Sequence, residues 1–282
     1  MKRSFRESRE SRESIIGRAH KKAVEKLSEF RPKEGDDDFV DIYGEENVAN
    51  DVAYVQRMEE TFSGERDRFQ QHAEVFEAIF FDQVELAEWL GPNITTTPTA
   101  KYDDIANGVD CIADIQQGLG NVHAGIAFDV TEGVTNLEKK LSRVRKEINE
   151  GNLAQVKYFQ SEDGSFVGTL KNIPRLIVAI DRKIVDDLAE KWMNGKNNEL
   201  ANHFVQRMIL DQILTQLDQF QLYAEQIGQE KIVRILEKYK MLFKQVQLQK
   251  NQQANISSID VDTMLKSEVY QEFMYLIKHF VE

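Results

Sequence analysis

Asp110 and Asp129 are the residues whose type and setting point to chemistry. Each is embedded in a short apolar run, 109–115 and 124–130, rich in β-branched or small residues. A break carrying Gly118, Gly120 and Asn121 separates the runs, which predicts two strands rather than one helix. Pairing those strands side by side brings the two carboxylates within a few ångström. A carboxylate in a buried strand is rarely left without a partner or a metal. The pair therefore points to one or the other, a partner or a metal ion, with ordinary strand-end hydrogen bonding as the alternative. Asp104 joins as a ligand if its loop folds back. Asp114, two alternations along from Asp110, is roughly 13 Å away by strand rise and cannot share the same ion. Glu77 lies beside the apolar face of a predicted helix and can point at the strand pair, against the ordinary alternative of an exposed helix glutamate.

Other chemistries are poorly provided for. His20, His72, His123, His203 and His279 show no HExxH-type pairing. Cys111 is the single cysteine, inside a predicted strand, where a buried inert thiol is expected. The glycines form neither a P-loop nor a dinucleotide fingerprint. Trp89 and Trp192 are expected in the core or an interface.

The elements that must position these residues are legible from periodicity. Residues 46–91 read as helix, with Phe69, His72, Val75, Phe76, Ile79, Phe80, Val84, Ala87 and Leu90 near helical spacing and Gly91-Pro92 as the stop. A polar loop, ITTTPTAKYDD, leads into the two strands. A basic amphipathic helix follows over 136–149, carrying Lys139 and Lys140. Residues 155–170 predict a hairpin with its turn at EDGS. The apolar run RLIVAID (175–181) predicts a central strand covered on both faces, and 184–192 a helix. From 197 to 249 two long apolar stripes meet at Gly228, predicting an antiparallel helical pair that buries Phe204, Met208, Leu217, Phe220, Ile235, Leu242 and Phe243. A final helix is expected near 261–280.

At the other end, residues 1–33 carry eleven Lys and Arg against five Glu. An amphipathic helix over 15–30 is expected to be a solvated tail, with an arm touching nucleic acid or a partner as the alternative. The acidic run from Glu34 to Asp41 reads as a linker. Three units follow: a charged arm and linker at 1–45, an α+β core at 46–194 and a helical region at 195–282.

Composition bounds the rest. The chain has 282 residues, 30% of them charged, and a net charge of −12. No apolar run approaches the ~20 residues of a membrane span, and the polar N-terminus is unlike a signal peptide. A cytoplasmic protein without membrane contact is expected.

The order of helix with Glu77, strand with Asp110, strand with Asp129-Val130-Thr131, basic helix and strand resembles the core of the PD-(D/E)XK nuclease superfamily over about residues 70–182. The resemblance implies a restriction-endonuclease-like fold: α+β, a small mixed sheet flanked by helices, here with a C-terminal helical hairpin added. It implies Mg²⁺, with Mn²⁺ as the alternative, held by Asp110, Asp129 and Glu77, and DNA or RNA as substrate. The family's lysine, two residues after the second acid, is Thr131 in this sequence. Threonine supplies no charge, so Lys139 or Lys140 is the candidate replacement. The expected function is a metal-dependent phosphodiesterase. The alternatives are a catalytically inactive nuclease-like fold used for binding or assembly, and a helical interaction protein with an unrelated small sheet. The C-terminal helices are expected to pack on the core of the same chain, or else to form a homodimer.

Overall fold

The structure, a computed structural model, describes residues 2–62, 67–117, 120–131, 135–161, 164, 166–253 and 258–282. Within these, the side chains of 2–14, 62, 67–70, 116–117, 120–123, 125–131, 135, 252–253 and 258–261 lie outside the description.

A four-stranded mixed sheet carries the core. It is built from β1 (Ile94–Pro98), β2 (Cys111–Gln117), β3 (Gly120–Thr131) and β6 (Arg175–Asp181), in the order β1-β2-β3-β6. The first three are antiparallel, with Ile94 opposite Ile115 and Cys111 opposite Ile126; β6 runs parallel to β3. A parallel neighbour needs a long crossover. Here it consists of α5 (Thr135–Asn149) and a separate hairpin of β4 (Ala154–Gln160) and β5 (Val167–Ile173). The hairpin's two strands sit where periodicity placed them; of the turn expected at EDGS, residues 162, 163 and 165 lie outside the described residues.

The helix α4 (Asp67–Ala87) lies along β1 and β3 and buries Phe76, Ile79 and Phe80 completely. Each such side chain contributes about 1.5–3 kcal/mol when removed from water. The preceding α3 (Glu45–Phe62) is a separate helix, so the predicted helix over 46–91 is two, with 63–66 outside the described residues.

Four expectations are corrected by packing. The tail reading fails from Ile16 onward. Ile16, Ala19, Ala23 and Leu27 of α1 (Lys2–Phe30) are buried against α4 and α6 (Arg182–Met193), because a stripe repeating at three and four residues meets two helices that need cover. The acidic linker contains α2 (Asp37–Tyr43), whose acids face water while Phe39 is fully buried against Tyr158. The polar loop before the two strands contains β1, since a β-branched threonine run can pair with β2. It also contains a π-helical turn, Asp103–Asn107.

The fourth correction concerns RLIVAID, which is an edge strand. Its residues Leu176 to Ile180 are fully buried, as a two-face-covered strand requires, but its outer edge meets a helix. The helix is α8 (Val205–Gln226), which forms an antiparallel pair with α9 (Glu230–Gln253) across Gly228. Gln216 accepts from Ile177 N at 2.8 Å and donates to Ile177 O at 2.8 Å. Gln212 does the same to Ala179, at 2.9 and 2.8 Å. Four helical residues rise about 6.0 Å and two strand residues about 6.6 Å, so glutamines at i and i+4 reach alternate strand positions. The two amides replace a missing strand and close an edge that would otherwise template pairing.

Of the side chains expected under the helical pair, Met208, Leu217, Phe220, Leu242 and Phe243 are buried, with Phe204 and Ile235 partly covered. The final helix expected near 261–280 is two, α10 (Ser258–Leu265) and α11 (Glu268–Lys278), and α11 packs on α8 and β6. Among the described residues, no helix is long and apolar enough to cross a membrane.

Candidate functional site

The site begins at the end of α1. Packing of α1 on α4 carries Arg31, just past the last helical residue, onto Glu77. Arg31 Nη2 donates to Glu77 Oε1 at 3.0 Å, and Nη1 to Asp104 Oδ2 at 3.4 Å. Lys101 Nζ lies 3.5 Å from the same Asp104 oxygen. The Arg31 and Glu77 side chains are only 10% and 9% exposed. Burial pushes the Glu77 carboxyl up to about 8. Arg31 opposes that shift, and Asp110 and Asp104 reinforce it. Burial also works against the Arg31 charge, but Glu77, Asp104 and Asp110 outweigh it, so the guanidinium stays protonated. The result is a buried cation held directly by Glu77 and Asp104, with the charges of Asp110 and Glu74 acting on it from nearby.

Asp110 is held by its backbone. It precedes β2 by one residue, and its carbonyl accepts from Thr99 N at 3.0 Å and Thr99 Oγ1 at 3.2 Å. The turn before it is locked from the opposite side. Arg143 Nη2 donates to Ala106 O at 2.8 Å, and Arg175 Nη1 donates to Asn107 O and Gly108 O. Arg175 is itself tied to Glu147 at 2.6 Å. Gly108 is left-handed at φ 59°, and a Cβ there would stand 2.9 Å from Arg143 Nη1 and 3.1 Å from Arg175 Nη1. The left-handed conformation favours glycine, and any larger residue would also have to displace the two arginine ends.

Asp103, next to Asp104, has a structural task. It accepts from Lys157 N at 2.7 Å, Tyr158 N at 2.8 Å and Asn107 Nδ2 at 2.6 Å, tying the π-helical turn to β4. Burial raises its carboxyl, and those donors pull against the rise.

The predicted ligands divide as follows. Glu77 and Asp104 meet on Arg31, and Asp110 lies near enough for its charge to act on both Arg31 and Glu77. In β3, Asp129 stands opposite Ala179 and Thr131 opposite Asp181 of β6; their side chains lie outside the described residues. Lys139 is exposed on α5. Asp114 is buried in β2, opposite Thr95 of β1. The Cys111 thiol is fully buried, and burial with neighbouring carboxylates pushes its pKa well up, which makes it the inert thiol expected. Sequence reasoning missed Arg31 and Lys101 as site residues. The one signal was Arg31-Pro32 closing an amphipathic stripe, and periodicity cannot say which element that stripe covers.

The donors are all carboxylates, the right chemistry for Mg²⁺ or Mn²⁺. Among the described residues, however, no group of three His, Cys, Asp or Glu is spaced to hold an ion. Glu77 and Asp104 converge on a guanidinium, so a metal would need the Asp129 carboxylate and a withdrawn Arg31. Compared with family models, curated proteins and solved structures, the chain matches none.

Proposed function

We propose that this chain is a metal-dependent phosphodiesterase of the PD-(D/E)XK kind, acting on DNA or RNA, with Glu77, Asp104, Asp110 and Asp129 as the carboxylates that hold Mg²⁺ or Mn²⁺. The observation that carries the reading is the meeting of Glu77 and Asp104 on one buried cation, with Asp110 close enough for its charge to act on both Arg31 and Glu77. The order α4, β2, β3, α5, β6, with β6 parallel to β3, also supports it. A divalent ion there supplies Lewis-acid polarisation of the phosphodiester. The chain's own residues contribute a low-dielectric pocket and a π-helical turn that presents Asp104. Thr131 carries no charge. Lys101, at the cluster, and Lys139 or Lys140, on α5, are the candidate lysines, and separate alanine substitutions discriminate them.

A second reading, a nuclease-like fold without catalysis that serves binding or assembly, is favoured by Arg31. A permanent internal counter-ion does for three carboxylates what a metal would do.

Asp129→Asn separates the two. Under the first reading it abolishes Mg²⁺-dependent cleavage and leaves the fold intact. It also stabilises the metal-free protein by about 1 kcal/mol at pH 7, since close carboxylates repel and raise one another's folded-state pKa. The measurement is thermal unfolding of both forms with and without Mg²⁺, beside a nuclease assay on single- and double-stranded DNA and RNA. No Mg²⁺ shift in the wild type, with a less stable variant, removes the metal site. Full activity in the variant removes the catalytic assignment.

A further inference from the structure

The sequence holds two Asn-Gly pairs, Asn107-Gly108 and Asn194-Gly195. Glycine has no Cβ to shield its nitrogen, so in this dipeptide the asparagine amide is open to attack by the next backbone nitrogen. We infer that Asn194 is a site of spontaneous deamidation, while the fold keeps the same dipeptide at Asn107 intact. The inference does not rest on the metal reading.

The chemistry needs only water. The Gly195 backbone nitrogen attacks Asn194 Cγ and gives up its proton. The new N–C bond closes a five-membered imide, and the side-chain amide nitrogen takes up that proton and leaves as ammonia. Water then opens the ring at one of two carbonyls. Opening at Cγ leaves an ordinary aspartate. Opening at the backbone carbonyl leaves isoaspartate, in which the main chain runs through the side chain and is longer by one methylene.

Asn194 caps the C-terminal end of α6, and both it and Gly195 are exposed. The Asn194 side chain makes no hydrogen bond among the described residues. Gly195 is left-handed at φ 66°, and a Cβ there would meet nothing within 4 Å. Its N–H reaches Trp192 O at a long 3.3 Å, and the Lys196 N–H reaches Lys191 O at 2.9 Å. These two bonds close the helix end, and exposed helix ends open locally at little cost. Asn107 is the opposite case. Its Nδ2 donates to Asp103 Oδ1 at 2.6 Å, its carbonyl accepts from Arg175 Nη1, and the Gly108 N–H goes to Asp104 O at 3.1 Å. The amide and the attacking nitrogen are both committed, and two arginine ends crowd the glycine. Conversion at Asn194 places a carboxylate at the negative end of the α6 dipole. It also lengthens the chain before α7 (Asn197–Ala201), whose Leu200 is buried and accepts from Trp89 Nε1 at 3.1 Å.

The test is peptide mapping by mass spectrometry on the full chain aged in mildly alkaline buffer. Asn194 should convert to a mixture of aspartyl and isoaspartyl forms, faster as pH rises. It should convert at least about tenfold faster than Asn107, since freeing Asn107 also costs its hydrogen bond to a carboxylate. In guanidinium chloride the two rates should become comparable, because the protection is structural. Asn194→Gln, which closes the corresponding six-membered ring far more slowly, should keep its mass and its thermal midpoint when aged beside the wild type, whose midpoint should fall. The inference is overturned if Asn194 stays intact in the folded chain while it converts in denaturant, or if Asn107 converts as fast as Asn194 in the folded chain. A difference that persists in denaturant overturns the protective role of the fold, and a converted chain with an unchanged midpoint overturns the loosening at α7.

Discussion

Replacing Gln212 by leucine should destabilise the protein by about 2–4 kcal/mol, although no apolar contact is lost. The Gln212 amide is fully buried and holds both polar groups of Ala179, its N–H at 2.9 Å and its C=O at 2.8 Å. Leucine leaves both orphaned where water does not reach. Each unsatisfied backbone group costs about 1–3 kcal/mol, and the sum is reduced because the amide itself no longer needs desolvating. The assay is urea unfolding, with Gln249→Leu as control: that glutamine is exposed on α9, so its replacement should stay within about 0.5 kcal/mol. Hydrogen exchange adds a local readout, since Ala179 should lose amide protection while Ile177, held by Gln216, keeps more of it. Ala179 is the register partner of Asp129, so any Mg²⁺-dependent activity should fall as well. The double change at Gln212 and Gln216 should cost less than the sum of the two, because one lost amide already loosens the edge. A loss under about 1 kcal/mol with Ala179 still protected would refute the reasoning, since the strand edge would then have found other partners.

Glu77→Gln should gain stability relative to the wild type as pH rises from about 4.5 towards 8. A carboxyl whose folded pKa is raised contributes fully below its unfolded pKa and loses that contribution as pH climbs through the folded one, so a flat difference in Tm over that window contradicts the assignment. Arg31→Met removes the cation that favours the charged form of Glu77, so it should cost more at pH 9, where Glu77 has lost its proton, than at pH 6, where it holds it; equal losses at both pH values would show that the pair is not the cause. Asp187 is held down to about 2, chiefly by its hydrogen bond with His203, so its stabilisation is present above pH 4 and lost as pH falls towards 2. Asp187→Asn should flatten that acid limb in pH-dependent unfolding. A chain truncated after Gly195 loses the glutamines that close β6 and the α11 cover, and should show no cooperative unfolding by calorimetry; a sharp transition would make the helical region an independent module.

Periodicity alone determined most of the elements. The stripe on α4, the β4–β5 hairpin and the α8–α9 pair lie where it puts them, because each repeats its apolar residues at the period of the structure it forms. It missed β1 and α2. A run of threonines becomes a strand only when a partner accepts its backbone, and seven acid-rich residues become a helix only when Phe39 finds a pocket. The role of α1 was half legible: its stripe is plain, but what the stripe covers is not local information.

The same division runs through the site. The residue types of Glu77, Asp104 and Asp110 by themselves pointed to costly charge, since carboxylates beside apolar runs need partners wherever the chain takes them. Which partner they find is a tertiary matter. Arg31 lies 46 residues from Glu77 and 73 from Asp104, and only the packing of α1 on α4 brings the three together. The edge position of β6 is likewise invisible in RLIVAID. An all-apolar strand reads as central, and only the tertiary structure shows that a pair of glutamine amides, four residues apart on a helix, stands in for its missing neighbour.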